Sequence, residues 1–370
     1  MKGSTCFFLG VLCVAGIYGY FNGLPEEVRQ ALNRFVPASV TAPVEGAVAH
    51  ITGGGEYGKD LLIADGSKGE GSGCLIDYQG HTLIVTNAHI ISEIGGAKFR
   101  ELDSTEVPPA SAFAFADGAD LAVAAQTTAA HGLELANVDK EVAVGDDVIV
   151  LGNSLGADVA TKITGKVTGI GPNLVEVDAK FVEGNSGSPI IQVKSGKVIG
   201  IATFAERPRV TALSGDSQYS SEWRRFGYRL DTVRLWQHPS PQQFAVESET
   251  YESVHKKTLS LIALAEDLSN GHIVLAKYEA PDNPLRQIVT DYLESASGLN
   301  KTSLVPGDAR MQFVHGIVFE IDSDTRVLRQ QDFTWFHWHM LQMEFETRKE
   351  LKKAFQRVES AEQTRESMLH

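Results

Sequence analysis

The sequence predicts a mainly β fold across residues 41–236, followed by a mostly α-helical region at 246–370. Three observations carry that expectation. Of the 35 glycines, 26 fall within 41–236 and only 4 within 237–370, so the first stretch turns often and the second does not. Short β-branched runs such as Thr82–Thr86, Val148–Leu151 and Val198–Thr203 alternate with Gly, Asn and Asp in the first stretch. That is the pattern of an all-β sandwich or barrel. Past His238-Pro239-Ser240-Pro241, apolar residues recur every three or four positions instead.

Composition narrows the choice further. A chain of 370 residues fits two or three domains. With 43% hydrophobic and 22% charged residues it is neither a disordered tail, nor a collagen-like repeat, nor a bundle of membrane helices. A net charge of −14 makes nucleic acid a poor partner. Three cysteines exclude a disulfide-dense secreted scaffold.

Taken in order, the elements read as follows. Lys2 precedes an uncharged run, Gly3–Gly23, with its apolar centre at Cys6–Phe21. Residues 1–23 therefore read as a secretory signal or a retained N-terminal membrane anchor, which places the rest in a periplasmic or other extracytoplasmic compartment. Residues 24–40 read as a short helix and linker, with Leu24, Val28, Leu32 and Phe35 on one face. Within 41–236, Cys74 in Gly73–Ile76 reads as a small apolar strand residue. Between 101 and 160, eleven acidic residues face one basic residue, Lys140, which reads as a solubilising surface.

Residues 237–245 read as a linker, and 246–370 as a helical domain. Asn283-Pro284 starts one helix, carrying Leu285, Ile288, Val289, Tyr292 and Leu293. Trp338, Leu341, Phe345, Leu351, Phe355 and Val358 mark a longer one. Trp335–Met340 reads as an aromatic packing surface, suited to self-association or a protein partner. His337 and His339 are two apart, so a helix points them about 200° from each other. They make poor partners for one metal ion, and neither metal nor cofactor is expected.

The most informative stretch is Gly184-Asn185-Ser186-Gly187-Ser188-Pro189. A glycine two residues before a serine lets backbone N–H groups converge on one point. The amides of Gly184 and Ser186 would then form an oxyanion hole beside a nucleophilic Ser186 Oγ. A serine hydroxyl needs a general base, and Thr86-Asn87-Ala88-His89 offers His89 at the end of an apolar strand. The base needs an orienting carboxylate, which Asp120 in Ala119–Val123 supplies. Asp117, in the turn Ala116-Asp117-Gly118, is the weaker alternative orienter. His81 and His50 are read as an exposed turn residue and an ordinary strand residue.

These motifs together resemble a chymotrypsin-fold serine protease. The similarity is nearest the HtrA/Deg-type and glutamyl-endopeptidase branches, and it covers roughly 41–236. Gly71–Ile76 resembles that superfamily's strand entering the active site. Thr86–His89 resembles its histidine motif and Asp120–Val123 its aspartate motif. Val144–Asp146, Leu151–Asn153 and Val177–Ala179, before Gly184–Pro189, complete the match. The resemblance implies two six-stranded β-barrels with the triad between them, acting on polypeptide without a cofactor. No Gly-Leu-Gly-Phe-like loop follows in 237–370, so no PDZ domain is expected there.

The resemblance also sets expectations for specificity. Asn185 stands where digestive enzymes carry an aspartate that pairs with a new N-terminus, so activation by that route is not expected. Val198–Ala205 is similar to the strand lining the primary pocket. Within it, Thr203 stands where a hydroxyl bonds the triad aspartate, Phe204 follows, and Ala205 replaces a glycine at the pocket mouth. A narrowed pocket implies a small or medium apolar residue before the scissile bond. Lys180, six residues before Ser186, is the alternative, drawing an acidic side chain. Two other functions share this framework: a non-catalytic peptide-binding or scaffolding module, and an esterase.

Overall fold

The structure, a computed structural model, describes residues 49–50, 60–66, 69–78, 80–93, 98–126, 132–206, 223–270, 273–297 and 307–367. The expected N-terminal signal or anchor (1–23) and short helix (24–40) lie outside the described residues. Among the described residues, no helix is long and apolar enough to cross a membrane. Two compact units emerge. Among the described residues, one holds the strands and everything up to Ser248, with Thr334–Phe336; the other holds those of 249–333 and from His337 onward.

In the first unit, β1 (Ala49–His50) is an outlying strand. The first sheet is built from β2 (Leu61–Asp65), β3 (Glu70–Tyr78), β4 (His81–Thr86), β5 (Lys98–Arg100), β6 (Ala114–Ala116) and β7 (Ala122–Ala125). Their order is β5-β2-β3-β4-β7-β6. The end strands β5 and β6 share no ladder among the described residues. The segment joining them bonds to β5 and β7: Val107 N–H donates to Phe99 O at 2.7 Å, and Ala110 N–H to Ala125 O at 2.8 Å. Short β8 (Leu133–Glu134) runs parallel to β3.

The second sheet is a closed six-stranded barrel. It comprises β9 (Asp147–Asn153), β10 (Ala160–Ile170), β11 (Leu174–Val177), β12 (Pro189–Gln192), β13 (Val198–Glu206) and β14 (Arg224–Tyr228). The ring runs β9-β10-β11-β14-β13-β12 and returns to β9 through Ile190↔Val150. β1 adds to β10, and β15 (Trp236–Gln237) adds to β6.

Strand alternation divides the apolar side chains among three cores. Leu62, Leu75 and Ile84 pack inside the first sheet with Phe99. Val148, Val150, Val175 and Ile199 fill the second barrel. The opposite faces, with Leu61, Cys74, Ile76, Ile149, Leu151 and Ile201, form a shared core between the two sheets. Burying each such side chain contributes about 1.5–3 kcal/mol. The shared core therefore holds the two halves of the site in register. Cys74 is fully buried there, and burial pushes its thiol pKa up, as suits an inert apolar residue.

Two short helices, α1 (Ala88–Glu93) and α2 (Val138–Glu141), interrupt the strands. The segment 237–245, read as a linker, instead runs into a long helix, α3 (Pro241–Ser269). Ser240 caps it, its Oγ accepting Gln243 N–H at 3.1 Å, and Pro241 takes the first helical position, where its missing N–H is harmless. Near this start Phe244 stacks on Phe115, with ring centroids 3.8 Å apart.

The second unit is helical. It contains α4 (Arg286–Ser297), α5 (Gly307–Leu328), and the bulk of α3 and of α6 (Trp335–Ser367). α4 carries the expected apolar stripe, with Asn283 Oδ1 accepting Leu285 N–H at 2.9 Å just ahead of it. Tyr251, Val254, Leu328, Leu341 and Phe345 form one core. His337 is buried and His339 exposed, as opposite faces require.

Candidate active site

β4 ends at Thr86, and the chain turns into α1, which carries His89 on its first turn. Asp120 lies between β6 and β7, after a tight turn in which Gly118 takes φ +93°. One carboxylate grips the histidine twice. Asp120 Oδ1 accepts His89 N–H at 3.0 Å, and Oδ2 lies 2.6 Å from His89 Nδ1. An ionised carboxylate only accepts, so Nδ1 carries the proton and a neutral ring presents Nε2 as an acceptor. Burial works against the imidazolium, but the charge of Asp120, its hydrogen bond and the charge of Glu93 outweigh it. His89 is raised to about 9.

The alternatives to these two residues sit elsewhere. Asp117 is exposed in its turn, and His81 is exposed at the start of β4. His50 pairs with Thr161 on β1.

The Gly184–Ser188 turn is built on two glycines in a left-handed conformation that a Cβ would obstruct. Gly184 has φ +84°, and a Cβ there would lie 2.0 Å from Asn153 O; Gly187 has φ +89°, and its Cβ would lie 1.9 Å from Ser72 O. Leu155 N–H donates to Glu183 O at 2.7 Å. A trans peptide points its N–H opposite its C=O, so this bond turns the Gly184 N–H away from Leu155. Neither the Gly184 nor the Ser186 amide donates to an acceptor among the described residues. Asn185 is locked beneath them: its Oδ1 accepts Val182 N–H and Ser154 Oγ–H, each at 3.0 Å. This neutral amide serves as a staple within the turn.

Ser72, on β3, is a residue whose role sequence reasoning missed. Its N–H donates to Ser186 O at 2.9 Å and its hydroxyl to Gly184 O at 2.7 Å, while Asn153 N–H donates to that same hydroxyl. One serine of the first sheet thus holds both ends of the Gly184–Ser186 segment. Its signal was its place between Gly71 and Gly73, where a lone polar side chain breaks an otherwise small and apolar run.

The structure joins Ser186 to the His89–Asp120 pair through Thr203 and Asn87. Ser186 is almost fully buried, and its hydroxyl donates to Thr203 O at 3.4 Å. Asn87 Nδ2 bridges Asp120 O at 2.8 Å and Thr203 Oγ1 at 2.9 Å. The expected bond from the Thr203 hydroxyl to the Asp120 carboxylate is not the one observed. The single hydroxyl proton goes to Ile201 O at 2.9 Å, and Asn87 supplies the link to Asp120. Of the expected pocket residues, Phe204 and Ala205 are half-buried along β13 and Lys180 is exposed. Phe204 stacks on Phe226, centroids 5.1 Å apart. Among the described residues, no group of three or more His, Cys, Asp or Glu side chains could hold a metal ion.

Chemically, the site combines an imidazole oriented by a carboxylate, a buried hydroxyl, and two backbone amides that have no acceptor among the described residues. Gly187→Ala tests how tightly it is built. A Cβ at φ +89° against Ser72 O is expected to destabilise the protein by about 2 kcal/mol or more and to abolish activity. Denaturant unfolding measures the first effect; an unchanged midpoint would contradict the packing described.

Residues 71–201 match the family model of the trypsin-like peptidase domain. The chain is similar to a crystal structure of Rv3671c from M. tuberculosis H37Rv, a serine-to-alanine mutant in its inactive form. That likeness has 18% identity and a TM-score of 0.37, covering 52% of this chain and 91% of that one. A second structure, of the Rv3671c protease in its inactive form, has 20% identity and a TM-score of 0.36, with 49% and 88% covered. The chain matches no curated protein. The closed six-stranded barrel, its partner sheet and the matched segment lie in one unit, and residues 71–201 are similar to a trypsin-like peptidase domain, which supports the fold of a chymotrypsin-type serine protease.

Proposed function

We propose that the protein is an exported endopeptidase that hydrolyses peptide bonds through Ser186, His89 and Asp120. The observation that carries this reading is the double grip of Asp120 on His89 within the network that ends at Ser186 Oγ. In the proposed cycle the Ser186 hydroxyl rotates off the long 3.4 Å contact with Thr203 O and gives its proton to His89 Nε2. Ser186 Oγ attacks the substrate carbonyl, and the amides of Gly184 and Ser186 stabilise the oxyanion. The imidazolium then protonates the leaving amine. Water, deprotonated by the same ring, releases the acyl group. Asp120 holds the ring's tautomer and offsets its charge throughout.

Export is part of the same reading and rests on Lys2 and the apolar run to Gly23. A fluorophosphonate probe tests the chemistry, since it reacts only with an activated serine. The full chain is expected to be labelled stoichiometrically, and Ser186→Ala not at all. Folded wild-type protein that resists labelling would leave a non-catalytic peptide-binding module as the better reading.

A further inference from the structure

β14 places two arginines side by side, and strand alternation sends them to opposite faces. Arg224 is well matched: Nε and Nη2 bond the two oxygens of Glu176 at 2.9 Å each, and Nη1 lies 3.7 Å from Glu206. Arg225 is different. It is only 5% exposed, and its hydrogen bonds go to backbone carbonyls alone, Nε to Phe181 O at 2.9 Å and Nη1 to Trp223 O at 3.4 Å. No carboxylate pairs with it among the described residues. A buried guanidinium without a counter-charge is strongly disfavoured, and burial accordingly pulls its pKa down. A buried cation of this kind beside a cleft of functional residues is a candidate for receiving an anionic ligand.

Its position says which ligand. A substrate whose carbonyl oxygen meets the Gly184 and Ser186 amides has the side chain just before that carbonyl within a few ångströms of the turn. The segment leading into the turn, 181–183, and the part of β13 beyond Thr203, whose carbonyl accepts from Ser186 Oγ, border that serine. Arg225 is fixed between these two. Nε is bonded to Phe181 O, five residues ahead of Ser186, and the backbone of Arg225 pairs with Ala205, two residues beyond Thr203. Paired residues on adjacent strands share a face, so the Arg225 side chain stands on the Ala205 side of the sheet.

The geometry points to Arg225 as the specificity-determining residue of the site, selecting peptides with Asp or Glu immediately before the scissile bond. This rests on the endopeptidase reading and replaces the apolar preference expected from a pocket narrowed by Ala205. It also moves the cation from exposed Lys180 to a desolvated position, where a charge-assisted bidentate bond discriminates most.

The test compares fluorogenic peptides that differ only in that residue (Glu, Asp, Gln, Leu), with fluorophosphonate labelling measured in parallel. Wild type is expected to cleave the Glu or Asp peptide at least about 30-fold faster than the Gln peptide in kcat/KM. Arg225→Gln should lose that ratio while still taking up the probe, and Arg225→Lys should keep part of it. Thermal unfolding of each variant checks that the Phe181 anchor has not simply collapsed. Wild type that is labelled but prefers Leu, or treats Glu and Gln alike, overturns the inference and leaves the endopeptidase reading standing. Folded wild type that takes up no probe overturns both.

Discussion

Ser186→Ala is expected to lower turnover by about 10⁵–10⁶-fold and to leave stability nearly untouched. The two halves of that expectation have separate causes. In the folded protein the hydroxyl makes one contact, to Thr203 O at 3.4 Å, too long to contribute much. The turn around it is held by the backbone of residues 184–188 and by Ser72, none of which the substitution removes. In the proposed reaction, by contrast, Ser186 Oγ carries the acyl intermediate. His89→Ala should cost a similar factor, and the double variant no more than either alone, because a nucleophile and its base act as one unit. A residual rate above that of water would come from the Gly184 and Ser186 amides. Turnover by the purified full chain and its thermal midpoint decide the matter. A Ser186→Ala protein retaining a tenth of wild-type activity would remove Ser186 from the mechanism.

The parts of this site legible in the sequence are those written in short local patterns. The Gly184–Pro189 turn needs positive φ at two glycines, and both take it. His89 follows β4 on the first turn of α1 and Asp120 comes just before β7, so each stands next to an apolar strand run that the sequence shows. What stayed illegible depends on register between distant segments. Nothing in Arg224-Arg225 says which arginine turns inward; the pairing of Val177 with Arg225 and of Glu176 with Phe226 decides it. The Thr203 hydroxyl donates to Ile201 O and accepts from Asn87, 116 residues away, a partner that nothing local in the sequence announces. In the helical part, Leu285–Leu293 and Trp338–Val358 show their period plainly. The start of α3 was hidden because Ser-Pro serves equally as a break in the chain and as a helix cap.

The acid–base pair makes the other large prediction. His89 is raised to about 9, with burial opposing and the Asp120 charge and hydrogen bond prevailing. Since the base must be neutral, kcat/KM should climb with pH and level off only above about 9. Stability runs the other way. A histidine whose folded pKa exceeds its unfolded value of about 6.5 binds an extra proton in the folded state. That stabilisation is complete below about pH 6.5 and is lost as pH rises through about 9. The protein should therefore gain activity while losing stability across the same window.

Asp120→Asn breaks the link. With the Asp120 charge gone, burial is opposed only by the lesser charge of Glu93, so the limb in kcat/KM should move to neutral pH or below. Turnover should still fall by about 10⁴-fold, because an amide can donate to Nδ1 and stabilise the wrong tautomer. A rate profile from pH 5 to 10 on both proteins, with unfolding midpoints at each pH, separates the effects. If the limb stayed near 9 in the variant, Asp120 would not be the group that sets the state of His89. The 2.6 Å contact would then hold the ring's position alone.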